Sequence, residues 1–544
     1  AYFDVTPIRA TTAAGDVTFA AVNGDATLTV TDISHGAIQN DFVTFSGATS
    51  LGGNITAAVL NQEYQIATVI GPDTYTLEAK DTSGNTVLAN GSDTGNGGSS
   101  TVGAYQINTG NEIEVPFTGW GGGTWGGGTW GSGGVTFAPM RLWSQANFGE
   151  DLLFAYRGGD LFYWDATTAV GTRGVFVSSL AGASDVPTVV NKALVSDIFR
   201  FALCFGANEI GNAVIDPMLI RWSDQEDVAN WTPAATNQAG SLRLSEGTEI
   251  VTALQARQEI LVWTDLALYG LQYLGAPEVW GAQLLGSNVT IAGPNATVYS
   301  NNIAYWMGRN KFYYYDGTVK TLPCDVRSYV FDDFNLGQSD QVVCGTNEQF
   351  DEIWWFYCSA GATQNDRYVV YNYVENVWYY GNLARSAWMD SDLRDFPIAA
   401  TYSNNLVFHE NGVDDNETGT PAAITASITS TQFDLDDGDR FMLVNKMLPD
   451  ITFDGSTTGA PAATMTLNPL KDSGSGRYNP ASVGGNSSAT VTRTATVPVE
   501  EFTGQVFTRV RGRQMSIKIE STAAGVTWKL GAPRMDMRPD GRRG

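Results

Sequence analysis

Residues Asp351–Gly381, DEIWWFYCSAGATQNDRYVVYNYVENVWYYG, decide the fold. An apolar run, Ile353–Tyr357, meets a loop of Gly, Asn and Asp. A second run, Tyr368–Tyr373, ends in Glu375-Asn376, and a third, Val377–Tyr380, closes on Gly381. Short aromatic and β-branched runs bounded by turn residues read as strands. Both faces of these runs are apolar, which predicts strands buried on both sides. Trp354, Trp355, Tyr371 and Trp378 read as packing residues of this unit rather than a ligand box.

The same unit recurs along the chain. Leu152–Tyr156 and Leu161–Trp164 flank a Gly-Gly turn. Ile198–Phe205 is continued by Met218–Trp222, Ile260–Trp263 by Leu266–Tyr273, and Ile303–Met307 by Lys311–Asp316. Asn405–His409 opens a sixth unit. The starts at 152, 199, 260, 303, 353 and 406 lie 43 to 61 residues apart. A period of roughly 40–50 residues with about four strands each predicts an all-β chain built as a β-propeller. Almost no segment carries a helical period with caps.

Ala1–Pro7 ends an aromatic stretch at Asp4, as Tyr313–Tyr315 ends at Asp316. We read residues 1–14 as the remnant of a further blade whose upstream part is missing, so that the six visible blades gain one more. Residues 15–103 differ in composition, being rich in Thr, Ala, Val, Gly and Asn and free of Trp. Alternation over Ala26–Val30 and Thr74–Leu77 predicts a small inserted all-β domain, with 90–100 as a flexible return linker. The propeller then runs over 104–418. From 419 to 544, regularly spaced strand-like segments predict a C-terminal β-sandwich.

Composition bounds the chemistry. The 544 residues carry 31 Lys+Arg against 57 Asp+Glu, a net charge of −26, and the pI is about 4.3. Such a chain repels nucleic-acid backbone and is a poor sequence-specific DNA binder. Cys204, Cys324, Cys344 and Cys358 lack CxxC spacing and read as buried thiols. With only two histidines, His35 and His409, a zinc site is disfavoured. No apolar run approaches the ~20 residues of a membrane span, and no signal peptide is visible.

Two motifs invite chemistry and fall short. Asp434-Leu-Asp436-Asp437-Gly438-Asp439 has the alternating carboxylates of a calcium loop, but Asn445 stands where the bidentate Glu belongs; an acidic turn is the better reading. Ser223–Trp231 has the outline of an Asp-box without its glycine. None of the sequence signatures of nucleophilic, zinc or nucleotide chemistry is present. We therefore read the chain as non-enzymatic, with no cofactor and no metal.

Two features point to contacts between subunits. Trp120, Trp125 and Trp130 recur every five residues in a glycine loop, a spacing that neither a strand nor a helix places on one face. They read as anchors onto a neighbouring surface, or as hot spots on another subunit. Arg509, Arg511 and Arg513 alternate on one strand face. They read as a solvated or salt-bridged stripe, or as a docking patch for an acidic partner. Residues 501–544 have a net charge of +5, whereas the remainder has −31, so a second copy of the chain can supply the acidic side.

Three stretches resemble the tail nozzle, or tail-stabilisation (tail tubular), proteins of short-tailed bacteriophages, the podoviruses. They are Trp222–Pro233, then Leu261–Tyr273 continuing through Gly286–Pro294 to Met307–Tyr313, and Trp528–Arg543. The likeness covers about 140–320 and 500–544. It implies a propeller subunit of a ring, commonly a hexamer, in the virion tail beneath the portal and adaptor. Such a ring extends the DNA ejection channel and anchors tail fibres or host-contact proteins, and the resemblance implies no catalytic residues. The competing expectation is a carbohydrate-binding or glycan-hydrolysing β-propeller that stacks sugars on exposed Trp and Tyr. A weaker one makes the 15–103 insert an adhesin module.

Overall fold

The computed structural model describes residues 3–114, 140–391, 393–435, 438–470 and 494–541. The chain packs as two compact units. One comprises 1–324, 335–344 and 357–366, the other 325–334, 345–356 and 367–544. The chain is all-β and of propeller type, with only two α-helices of a turn or so, Ala57–Leu60 and Arg327–Phe331, among the described residues.

In the first unit, four antiparallel four-stranded sheets, over 143–176, 190–243, 250–287 and 297–322, follow one another, each with its strands in chain order. A fifth sheet of the same order spans 343–382. The middle strands carry the apolar runs. Ala202–Asn208 and Ile260–Thr264 are buried at every position. Register confirms the pairs expected from sequence, such as Ala155 opposite Leu161 and Ile260 opposite Leu271. Trp263 and Trp306, both 0 % exposed, meet edge-to-face with ring centroids 5.4 Å apart.

The 351–381 stretch forms the strands Glu352–Tyr357, Arg367–Asn372 and Val377–Asn382. Trp354, Trp355 and Tyr371 are buried, and Trp378 lies 4.8 Å from Tyr371 and 6.0 Å from Trp355, ring to ring. The outermost strand departs from expectation. Val377 and Tyr379 are exposed, so this strand is covered on one face only. An outer strand has no further strand beside it, and its alternation is that of a half-solvated sheet edge.

The sixth repeat differs from the others. It is a three-stranded sheet, Ala387–Met389, Ile398–Ala400 and Leu406–Phe408. Leu406, read as the opening of a blade, begins its last strand. Its partners are only three residues long, too short to stand out as apolar runs in the sequence.

Residues 8–106 form two four-stranded sheets around one core that includes Val17, Phe45 and Tyr105. The alternating stretches pair as Leu28 with Leu77 and Val30 with Tyr75. The module begins before residue 15, because Ile8–Thr11 pairs with Val102–Gln106. Residues 1–14 are therefore not one blade remnant. Of the described residues before Ile8, Asp4 and Val5 lie along the first blade, where the Gly174 N–H donates to the Val5 carbonyl at 2.9 Å and Arg173 pairs with Asp4 at 2.6 Å.

In the second unit, residues 426–539 form the expected sandwich. One sheet runs Ala426–Thr429, Gln514–Ser521, Ala462–Leu470, Ala495–Glu500, and the other runs Val506–Gly512, Met442–Leu448, Arg534–Pro539. Strict alternation, as in Gln514–Ser521, turns Met515, Ile517 and Ile519 into a shared core with Met442 and Val444.

Candidate functional site

The arginine stripe lies on the sandwich. Arg509 and Arg511 project from the edge strand Val506–Gly512 on its exposed face, beside Phe507, which is 72 % exposed. Arg513 follows the strand. The three do not act alike. Arg511 pairs with Asp540 at 2.7 Å and lies 4.2 Å from the Phe441 ring centre. Arg513 lies 4.9 Å from the same ring and donates to the Gly438 carbonyl at 3.3 Å. Both guanidinium groups thus close the sandwich on itself, while Arg509 stays outward. Trp120, Trp125 and Trp130 lie outside the described residues, as do Asp436 and Asp437 of the acidic turn.

A charged cluster gathers where blade ends meet in the first unit. The Glu114 N–H donates to Gln338 Oε1 at 3.0 Å, and Gln338 Nε2 returns a bond to the Glu114 carbonyl at 2.7 Å. Arg157, at the end of the strand Asp151–Tyr156, is ion-paired with Asp340. Burial pushes the carboxyls of Glu114 and Glu249 upward. The Asp340 charge adds to the effect on Glu114, and Arg157 opposes it on Glu249. Arg157 offsets part of the negative charge here, and the cluster's chemistry is that of a polar tie between strand ends.

The second unit holds the other concentration of ionisable groups, on and around the thin sixth sheet. Glu352 Oε1 accepts from the Tyr379 hydroxyl at 2.5 Å and Oε2 from the Trp354 indole at 3.0 Å. The buried Asn347 amide reaches Glu352 Oε2 at 3.5 Å and Glu410 Oε1 at 3.3 Å. Burial pushes both carboxyls up; Glu352's charge adds to the effect on Glu410. Next to Glu410, His409 Nε2 accepts from Arg385 Nε–H at 2.9 Å. Burial, and then the Arg385 charge, hold the imidazole down at about 4. Arg385, 5 % exposed, also pairs with Glu417 at 3.1 Å. Trp388 covers His409 at 4.5 Å between ring centres. The indole sits where Gly345 has no side chain, since a Cβ there would meet the Trp388 ring at 2.0 Å.

Sequence reading passed over this cluster. Its members are spread over 347–417 in no motif, and the two histidines had been set aside. The partial Asp-box is a folded turn. Ala229 N–H donates to Asp227 Oδ1 at 2.9 Å, and Trp231, 1 % exposed, bonds the Val228 carbonyl at 2.8 Å. Its Trp231 is core, and its carboxylates cap backbone. Cys204 and Cys358 are buried, and Cys324 and Cys344 are partly buried. Among the described residues no group of three or more His, Cys, Asp and Glu is placed to hold a metal ion. Nor is any helix among them long and apolar enough to cross a membrane.

No family model matches this chain, and no curated protein does. Solved structures similar to it include Kluyvelomyces marxianus Hsv2, at 7 % identity over 49 % of this chain and 70 % of that one, with a TM-score of 0.29. The extracellular domain of BT4673 from B. thetaiotaomicron is similar at 11 % identity over 49 % of this chain and 32 % of that one, with a TM-score of 0.33. PorZ, a surface component of the type-IX secretion system of Porphyromonas gingivalis, is similar at 9 % identity over 67 % of this chain and 37 % of that one, with a TM-score of 0.29. Likeness at this level transfers no function. The chain's own strand order carries the conclusion: consecutive four-stranded antiparallel blades, a small two-sheet β module and a C-terminal sandwich.

Proposed function

We propose that the chain is a structural virion protein, a subunit of the ring-shaped tail nozzle of a short-tailed bacteriophage. One observation supports this above others: the stretches that resemble nozzle proteins are occupied by framework residues. Trp222, Trp231, Trp263 and Met307 are all buried. Two glycines of the second stretch stand where side chains do not fit. A Cβ on Gly293 would meet the Ser339 carbonyl oxygen at 2.5 Å, and one on Gly308 the Tyr313 ring at 2.6 Å. Trp528, Met535 and Met537 of the third stretch pack against the sandwich core. Buried packing residues in these stretches fit the role of a scaffold.

Electrostatics agree with a conduit. In a ring of copies each carrying −26, the net field repels DNA phosphates. DNA then gains no counterion-release binding as it passes. A ring needs heterologous interfaces that close, and the exposed Arg509 is a candidate to reach an acidic neighbour.

The test is electron microscopy and light scattering of the purified full chain, alone and with its adaptor. Closed rings with an axial hole are expected. A chain that stays monomeric under both conditions and turns over host polysaccharide overturns the reading in favour of a glycan-handling propeller.

A further inference from the structure

The three-stranded sheet of the sandwich runs Val506–Gly512, Met442–Leu448, Arg534–Pro539. Val506 and Val510 belong to the core, so Phe507, Arg509 and Arg511 lie on the opposite face. Register carries that face across the other two strands. Leu443 stands between Arg511 and Arg538, Lys446 between Phe507 and Asp536, and Leu448 opposite Arg534. The outward face thus gathers Lys446, Arg509, Arg511, Arg534 and Arg538 against two carboxylates, Asp536 and Asp540. Asp540 pairs with Arg511 and Asp536 with Arg538. Lys446, Arg509 and Arg534 make no ion pair among the described residues. Phe507 and Leu448 lie exposed among these charges. Arginines around an exposed aromatic side chain are the composition of interface hot spots.

Charge decides what covers this face. Two copies of it set against one another would oppose cation to cation, and like-charge juxtaposition across an interface is strongly unfavourable. A symmetric contact of the face with itself is therefore disfavoured, and the contact is heterologous, made with a different surface of the partner. That surface has to be acidic. Residues 501–544 have a net charge of +5 and the remainder −31, so the rest of a second copy supplies negative charge in excess.

We propose that the outward face of this sheet docks head-to-tail onto an acidic surface of a second copy of the chain. Lys446, Arg509 and Arg534 supply the charge, and Phe507 supplies the apolar contact. The proposal rests on the reading of the chain as a ring subunit. It adds the face that makes the contact, the chemistry of the surface it meets and the heterologous geometry that ring closure requires.

The experiment uses the full chain, alone and with its adaptor. Copies grown with light and heavy nitrogen are mixed and joined by a carbodiimide, which condenses a Lys amine with a carboxylate in direct contact. Heavy-to-light cross-links from Lys446 to Asp or Glu within 1–500 are expected. Association followed by light scattering should weaken as NaCl is raised, because salt screens exposed charges beyond about 10 Å at 0.1 M. The triple reversal Lys446→Glu, Arg509→Glu, Arg534→Glu should weaken association at least ~10-fold. The cross-links of the parent keep the test open if that variant folds poorly. Rings that form without a Lys446 cross-link between copies, or that the folded triple variant forms unchanged, overturn the proposal and leave the ring reading standing. Copies joined through Lys446 that never close into rings uphold the face and overturn the ring. Copies that stay monomeric under both conditions overturn both. Duplex DNA binding that the triple reversal abolishes, with association untouched, assigns the face to a nucleic acid and also overturns the proposal.

Discussion

The third blade, 250–287, and the sixth sheet, 387–408, are built from the same kind of repeat and differ in what fills them. In the third blade, Ile260–Thr264 is buried throughout, and Trp263 meets Trp306. In the sixth sheet, Ala399 is the sole buried hydrophobic among its strand residues, while Leu406 and Phe408 are more than half exposed. Its Trp388 packs against Trp354 and Phe356, and beside the sheet Arg385, His409 and Glu417 form one chain of contacts. Where aromatic packing saturates a sheet, residue identity is committed to the fold. Where a sheet is short, charged groups gather beside it, and protonation can act on them.

Four measurements bear on this contrast, taken from the largest effect downward. Trp263→Ala removes the centre of the third blade and should cost about 3–5 kcal/mol in denaturant unfolding. A loss below about 1 kcal/mol would show that the aromatic pair is not what holds the blade.

Acid is the second probe, and it acts on the sixth sheet. His409 is held neutral in the fold at about 4, against 6.5 for the free group. The unfolded chain therefore binds more protons over that interval. The contribution of His409 is complete above pH 6.5 and is lost as pH falls towards 4, by about 2–3 kcal/mol. His409→Gln should flatten this part of the stability profile; an unchanged acid limb would separate His409 from the polar core.

Arg509→Glu should leave the unfolding midpoint of the isolated chain within about 0.5 kcal/mol of the parent, as an exposed substitution does. In the same variant, ring assembly followed by light scattering should be lost. Retained rings would remove Arg509 from the interface. Arg511 and Arg513 are poorer probes, since both support the sandwich through Phe441. The smallest effect is expected for Phe408→Ser, within about 0.5 kcal/mol. A large loss there would mean that the exposed face of the sixth sheet is covered in solution.

Much of the architecture was legible in the residues. The starts read at 152, 260, 303 and 353 fall at or within one residue of the second strand of a blade, because that strand is packed on both faces and reads as an unbroken apolar run. The small module showed itself through alternation, and the sandwich through regularly spaced strand-like segments. Last strands of blades were harder to see, since part of each faces water and the apolar signal is diluted. Ile8–Thr11 was assigned to a blade because its partner, Val102–Gln106, lies some ninety residues away.

Sequence by itself determined the class and the period of this protein. Burial of aromatic runs is a local property, written in consecutive residues and repeated with each blade. Only the tertiary structure decided which charged groups meet. Asn347, Glu352, Arg385, His409 and Glu410 come from separate strands and loops. Their convergence depends on the packing of short strands around them, and that packing is a long-range outcome with no signature in any one stretch.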